Sequence, residues 1–166
     1  MFGLWRRKPA ETDRDRPLLA AVAQHMPEAD EHTVRIVAAI AGLLGQVAYA
    51  DHKYTDSEQQ RIREELSRIH GLSAAGVDAI CDVLAKHLAE IATVEAPWHA
   101  RALRDLGERD LRLQVLDVLV DVAAADDEIC IRETNLLRHT ASALGLTQDD
   151  YNAAQARHKS KLRVLR

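Results

Sequence analysis

The amino-acid sequence predicts an all-α domain, a helical bundle of about eight helices formed from two repeats related by a pseudo-two-fold. Three observations carry this expectation. The 166 residues include only seven Gly and four Pro, and no alternating Val, Thr or Tyr run stands between turn signals, so strands have no support. Apolar residues recur at the spacing of one helix face. The chain also resembles itself when shifted by 75 positions. A folded body of this length buries roughly 70% of its unfolded surface, so one sizeable core needs no covalent staples.

Residues 1–17 are charged, flanked by proline and without apolar period, which predicts a mobile leader. A first helix is expected from Leu18 to Met26, ended by Pro27. Asp30 or Thr33 can cap a long second helix to about Ala50. Its apolar residues Ile36, Val37, Ile40, Leu43, Leu44 and Val47 cover much of its circumference, which places it centrally. A third helix opens at Thr55 and is expected to end near His70-Gly71, Gly being favoured just past a helix C-terminus. Ser73 opens a fourth, running through Leu84 to Ile91, and Pro97 marks the start of a fifth that reaches Gly107. A sixth covers Arg109 to Ala125, a seventh Ile131 to Leu144, and an eighth begins at Thr147. The helical domain spans residues 18–158, with one repeat over about 30–91 and the other over about 97–158.

The repeat is clearest around two acidic turns. Val47-Ala-Tyr-Ala-Asp51 lies over Val122-Ala-Ala-Ala-Asp126, Glu58 over Glu133, Arg63 over Arg138 and Ser67 over Ser142. Those are seven identities in the twenty-three positions from 47 to 69, where chance at ordinary residue usage gives about two. After a gap of one residue, Gly71-Leu-Ser73 lies over Gly145-Leu-Thr147.

Net charge is −4, but its distribution is uneven. The leader carries five basic and three acidic side chains, and residues 157–166 carry five basic and none acidic, which defines a basic tail over 159–166. The body between them holds twelve basic and twenty-three acidic residues, a net −11. Such a body repels nucleic-acid phosphates and favours cations or a basic protein partner. Cys81 and Cys130 stand at no motif spacing, which fits a reducing, cytoplasmic setting without a thiolate metal site. No apolar stretch is long enough for a transmembrane segment. Residues 1–8, with Phe2, Leu4 and Trp5 ahead of Arg6, Arg7 and Lys8, offer at most a weak peripheral membrane contact.

The turns are the candidate site. Thr55-Asp-Ser-Glu58 reads as a capping box, and Asp51 can accept N–H groups of its own turn, so a purely structural account of the first copy exists. In the second copy Cys130 takes the capping position, and Asp126, Asp127 and Glu128 crowd behind a helix C-terminus, where the macrodipole disfavours anions. Oxygen ligands without a Cys/His cluster suit Ca²⁺ or Mg²⁺ better than Zn²⁺. The twelve-residue EF-hand pattern is absent. His87 and Glu90 could share a helix face, and Trp98 reads as a packing anchor. No HExxH, phosphate-binding Gly loop, GxSxG or Cys–His signature is present, which points away from an enzyme.

An Ala-Asp turn with Glu seven residues after the Asp, followed by Leu-Gly-Leu-Thr as at Leu144 to Thr147, resembles the tellurite-resistance TerB-like family. The same module is similar to the N-terminal domain of DjlA-type J-domain co-chaperones. The resemblance covers roughly residues 30–158. It implies a non-enzymatic, all-α cytoplasmic module of stress responses, with a metal-binding acidic face placed by residue matching at Asp51, Glu58, Asp126 and Glu133, and with Asp127 and Glu128 as possible additional ligands. Family members carry Gly directly after the turn Asp, whereas this chain has His52 and Asp127 there. A left-handed backbone at that point would be easy for Gly and strained for His. The resulting expectation is a protein-interaction or sensing domain that binds a divalent cation through its two turns. The alternative is a co-chaperone-like interaction module whose acidic turns are only structural caps.

Overall fold

The computed structural model describes residues 16–126 and 129–158. The leader to residue 15, Asp127, Glu128 and the basic tail fall outside the described residues, as does the side chain of Asp126. Eight helices follow in order: α1 (Pro17–His25), α2 (Glu31–Ala48), α3 (Asp56–Ser67), α4 (Ala74–Thr93), α5 (Ala96–Leu106), α6 (Arg109–Ala123), α7 (Ile131–Ala143) and α8 (Gln148–Ala156), with a 3-10 turn over Ala124–Asp126.

Local chemistry sets most of these boundaries. Pro17 and Pro97 lie in the first turns of α1 and α5, where a missing N–H costs nothing. Asp30 accepts the Thr33 N–H at 2.7 Å to start α2, and Ser73 accepts the Gly76 N–H at 3.1 Å to start α4. Thr147 and Asp150 close a reciprocal box at the start of α8, the Asp150 carboxylate accepting the Thr147 N–H at 2.9 Å.

Helix α2 is central, as its broad apolar face requires. It packs against α1, α3, α4, α5, α6 and α7. Leu43, Leu44, Val47 and Ala48 on α2 are fully buried, and Leu116, Leu119 and Val122 on α6 join them in one core. Each such aliphatic side chain contributes about 1.5–3 kcal/mol on leaving water.

Several helices end before the expected residue, α2 at Ala48 and not at about Ala50 among them. Helix α3 stops at Ser67, not at Gly71, because the chain leaves it through successive three-residue turns: Arg68 N–H to the Glu65 carbonyl, then Ile69 N–H to that of Leu66. Only then does Gly71 supply a left-handed φ of +84°. Helix α7 closes more tightly. The Gly145 N–H reaches the Ser142 carbonyl and the Leu146 N–H reaches that of Ala141, a Schellman end with Gly145 at φ +71°. The longer exit from α3 takes up the one-residue gap between the copies. Helix α6 likewise ends at Ala123, and the chain reaches Asp126 as the 3-10 turn. Helix α4 is kinked at His87, whose φ of −120° and ψ of 18° are non-helical. Among the described residues, no helix is long and apolar enough to cross a membrane.

Candidate functional site at the acidic turns

In the first copy the turn is held by its own polar atoms. Asp51 accepts the Lys53 N–H at 2.9 Å. Glu58 accepts the Thr55 N–H at 3.0 Å while Thr55 accepts the Glu58 N–H at 3.2 Å, so the capping box predicted from Thr55-x-x-Glu58 is present. Glu58 is 1% exposed, far more buried than a cap alone requires. Tyr54 beside it is desolvated, which pushes its phenol up to about 12, and the charges of Cys81 and Glu58 act in the same direction. Glu58→Ala is therefore expected to cost about 1–2 kcal/mol in chelator, since the Thr55 N–H loses its acceptor in a buried setting. Thermal melts check this, and an unchanged midpoint would show that the carboxylate caps nothing.

His52 adopts φ +60°, the left-handed conformation that the departure from Gly made strained. Its N–H donates to the Tyr49 carbonyl at 2.9 Å, and its ring lies edge-on to that of Tyr49 with centroids 4.8 Å apart. The ring contact offsets part of a strain of about 1–2 kcal/mol. His52→Gly is expected to raise stability by up to about 1 kcal/mol, net of the entropy a glycine adds to the unfolded chain. Denaturant midpoints read this directly, and a drop would mean that the Tyr49 contact outweighs the backbone.

The second copy reproduces the cap with different chemistry. Glu133, 4% exposed, accepts the Cys130 N–H at 2.7 Å. The Cys130 sulfur, a weak acceptor, replaces the threonine hydroxyl opposite the Glu133 N–H. Burial pushes the Cys130 thiol up, so it is no activated nucleophile. Asp126 ends the 3-10 turn that follows α6.

Each turn rests on the other copy. Ser57 and Arg61 of α3 line a cleft with Asp121 of α6 and with Ala124 and Ala125 of the second turn. Arg132 and Leu136 of α7 line another with Gln46, Tyr49 and Ala50 at the end of α2. These five positions in one cleft stand 75 residues from the five in the other. The first cleft carries an ion network: Arg61 pairs with Asp121 at 2.9 Å and with Glu65 at 3.2 Å, and His158 meets Asp121 at 2.7 Å. Both acidic turns therefore sit at one end of the bundle.

Asp51, Glu58 and Glu133 each commit an oxygen to a backbone N–H. Among the described residues, no group of three His, Cys, Asp or Glu side chains is placed to hold a metal ion. Asp127 and Glu128 and the side chain of Asp126, the remaining candidate ligands at this end, lie outside the described residues. His87 and Glu90 form no such group either; their charges act on Glu95 across the α4–α5 junction.

The polar cluster that sequence reasoning missed lies elsewhere. His99 of α5 is 1% exposed, neither of its ring nitrogens has a hydrogen-bond partner among the described residues, and its Nε2 stands 3.4 Å from Oε2 of Glu95, which is also buried. Trp98 is the more open neighbour and carries the Arg16 guanidinium 4.4 Å from its ring centroid. The readable signal was Gly42 inside a long helix, a mark of close approach: an added Cβ there would lie 2.4 Å from His99 ring atoms.

The family model described as Tellurite resistance protein TerB matches residues 37–156, from within α2 to the end of α8, and so takes in both turns and all of the cleft residues but His158. No curated protein and no solved structure matches the chain.

Proposed function

The chain belongs to the tellurite-resistance TerB family, and from that membership we propose that it is a non-enzymatic interaction module whose acidic-turn end is the docking face for a protein partner. The observation that carries this reading is the commitment of Glu58 and Glu133 to helix caps, each buried and bound to a backbone N–H. Carboxylates spent in this way shape a surface. Excess acidity in the body, net −11, favours a basic partner segment. Free Cys81 and Cys130 support a reducing, cytoplasmic setting.

Cation sensing is the second reading, favoured by one feature of the sequence: Asp126, Asp127, Glu128 and Glu133 fall within eight positions, 126–133, after the end of α6. Oxygen donors of this kind would take Ca²⁺ or Mg²⁺ and supply charge neutralisation there.

Melting the parent chain and Asp126→Asn in chelator and then in graded Ca²⁺, Mg²⁺, Mn²⁺ or Zn²⁺ separates the two. The interaction reading expects no response to ions, and an Asn variant no more stable than the parent. A midpoint that climbs with ion concentration, and does so only with Asp126 intact, would establish the sensing reading instead, because a ligand of the folded state stabilises it by mass action.

A further inference from the structure

The two clefts at the acidic-turn end are equivalent in position but not in chemistry. Where the first has Arg61 and Asp121, the second has Leu136 and Gln46, each 75 residues away. Among the described residues, Glu64 and Asp121 line the first cleft, and no carboxylate lines the second.

The chain's own C-terminal turn is seated on that acidic chemistry. Asp117 and Asp121 stand four positions apart on α6 and share one face of it, where like charges repel. Helix α8 packs on α6. Its last turn closes with the His158 N–H on the Gln155 carbonyl at 2.9 Å, and two side chains from this turn meet the α6 carboxylates. Arg157 pairs with Asp117, and His158 Nε2 lies 2.7 Å from Asp121. His158 is at the same time a wall of the first cleft, and Arg61 reaches the same Asp121 carboxylate from α3.

We propose that Arg157 and His158 form an autoinhibitory latch on the first cleft: they hold the Asp117 and Asp121 carboxylates that basic residues of a protein partner would take, and the partner docks by displacing them. This inference rests on the interaction reading and assigns the partner's basic residues to one cleft of the two. Both latch pairs are open to water, with the Arg157 side chain 61% exposed, so an incoming cation exchanges for them at small cost. Arginine is the partner residue that fits best. Guanidinium groups of Arg157 and Arg61 already meet these two carboxylates, and the planar fork matches carboxylate geometry.

The test uses the full chain and a short fluorescein-labelled peptide of alternating Arg and Gly, with binding read by anisotropy. Arg157→Gln together with His158→Gln is expected to tighten binding roughly two- to tenfold, the joint weight of two solvent-exposed ion pairs. Arg101→Gln on α5, which contributes no residue to the cleft, removes the same formal charge with His neutral and sets the baseline for charge alone. Asp117→Asn with Asp121→Asn is expected to weaken binding. In that background the Arg157 and His158 substitutions should act no more strongly than Arg101→Gln. Every substituted residue is at least partly exposed, so circular dichroism should be unchanged. If the parent and the latch-free chain bind alike while the two Asn substitutions weaken both, the latch is overturned and the docking reading stands. A gain no larger than that of Arg101→Gln overturns the latch as well, in favour of bulk charge. If none of the chains binds the peptide, the docking reading falls and the latch with it.

Discussion

Gly42→Ala is expected to destabilise the fold by about 2–3 kcal/mol, although Ala is the better helix former by about 1 kcal/mol. The added Cβ would stand 2.4 Å from Cδ2 and Nε2 of His99 and 2.5 Å from Cε1, well inside contact distance. A flexible side-chain tip could move aside; a buried imidazole ring cannot. His99 is held between α5 and α2, flanked by the Trp98 ring at 5.1 Å in edge-on contact. Urea unfolding of Gly42→Ala, His99→Ala and the double variant completes the cycle. In the His99→Ala background the ring is gone, so Gly42→Ala should become neutral or stabilising, a coupling of the size seen between residues in direct contact. Additive losses would mean that α2 and α5 separate slightly instead, and that the glycine is not there for the ring.

Much of the architecture could be read from the chain because its signals are local. Asp30, Thr55, Ser73 and Thr147 each precede a helix and each accept an N–H from it, as their residue types predict. The 75-residue offset placed the two acidic turns in equivalent positions, and the two clefts are lined by residues with that same separation. What could not be read depends on partners distant in sequence or on atoms common to all residues. Cys130 at the capping position lacks a hydroxyl, yet Glu133 needs only a backbone N–H, which every non-proline residue offers. The near-complete burial of Glu58 and Glu133 reflects tertiary packing, which a turn motif does not encode. Gly71 announced the end of α3 but not the extra turn between Ser67 and Gly71.

His99 has the same lesson in sharper form. A histidine two residues after a proline, on a helix that also carries Arg101, Arg104 and Asp105, reads as surface. The core takes it because Gly42 opens a slot on α2, and the consequence is a buried ionisable ring beside a carboxylate.

The stability of the protein is therefore expected to fall as pH drops from about 6.5 toward 4. Burial lowers its folded-state value from 6.5 to about 4, and the nearby Arg16 charge pushes the same way. Above pH 6.5 the ring is neutral folded or unfolded, so its contribution is fully present. Below that, the unfolded chain gains a proton that the folded chain refuses until about pH 4, and at about 1.36 kcal/mol per unit the balance shifts toward unfolding. Glu95 acts in the opposite sense. Burial raises its carboxyl, with Arg16 and His87 opposing and Glu90 reinforcing, so protonation at the acid end relieves a buried charge and recovers part of the loss. Gly42 brings no charge to the ring from α2. His99→Gln removes the titration while keeping a polar side chain, so the difference in melting midpoint between parent and variant should grow steadily in favour of the variant from pH 6.5 to 4 and stay constant above 6.5. Parallel curves across that window would mean that His99 reaches solvent or a hydrogen-bonding partner when charged.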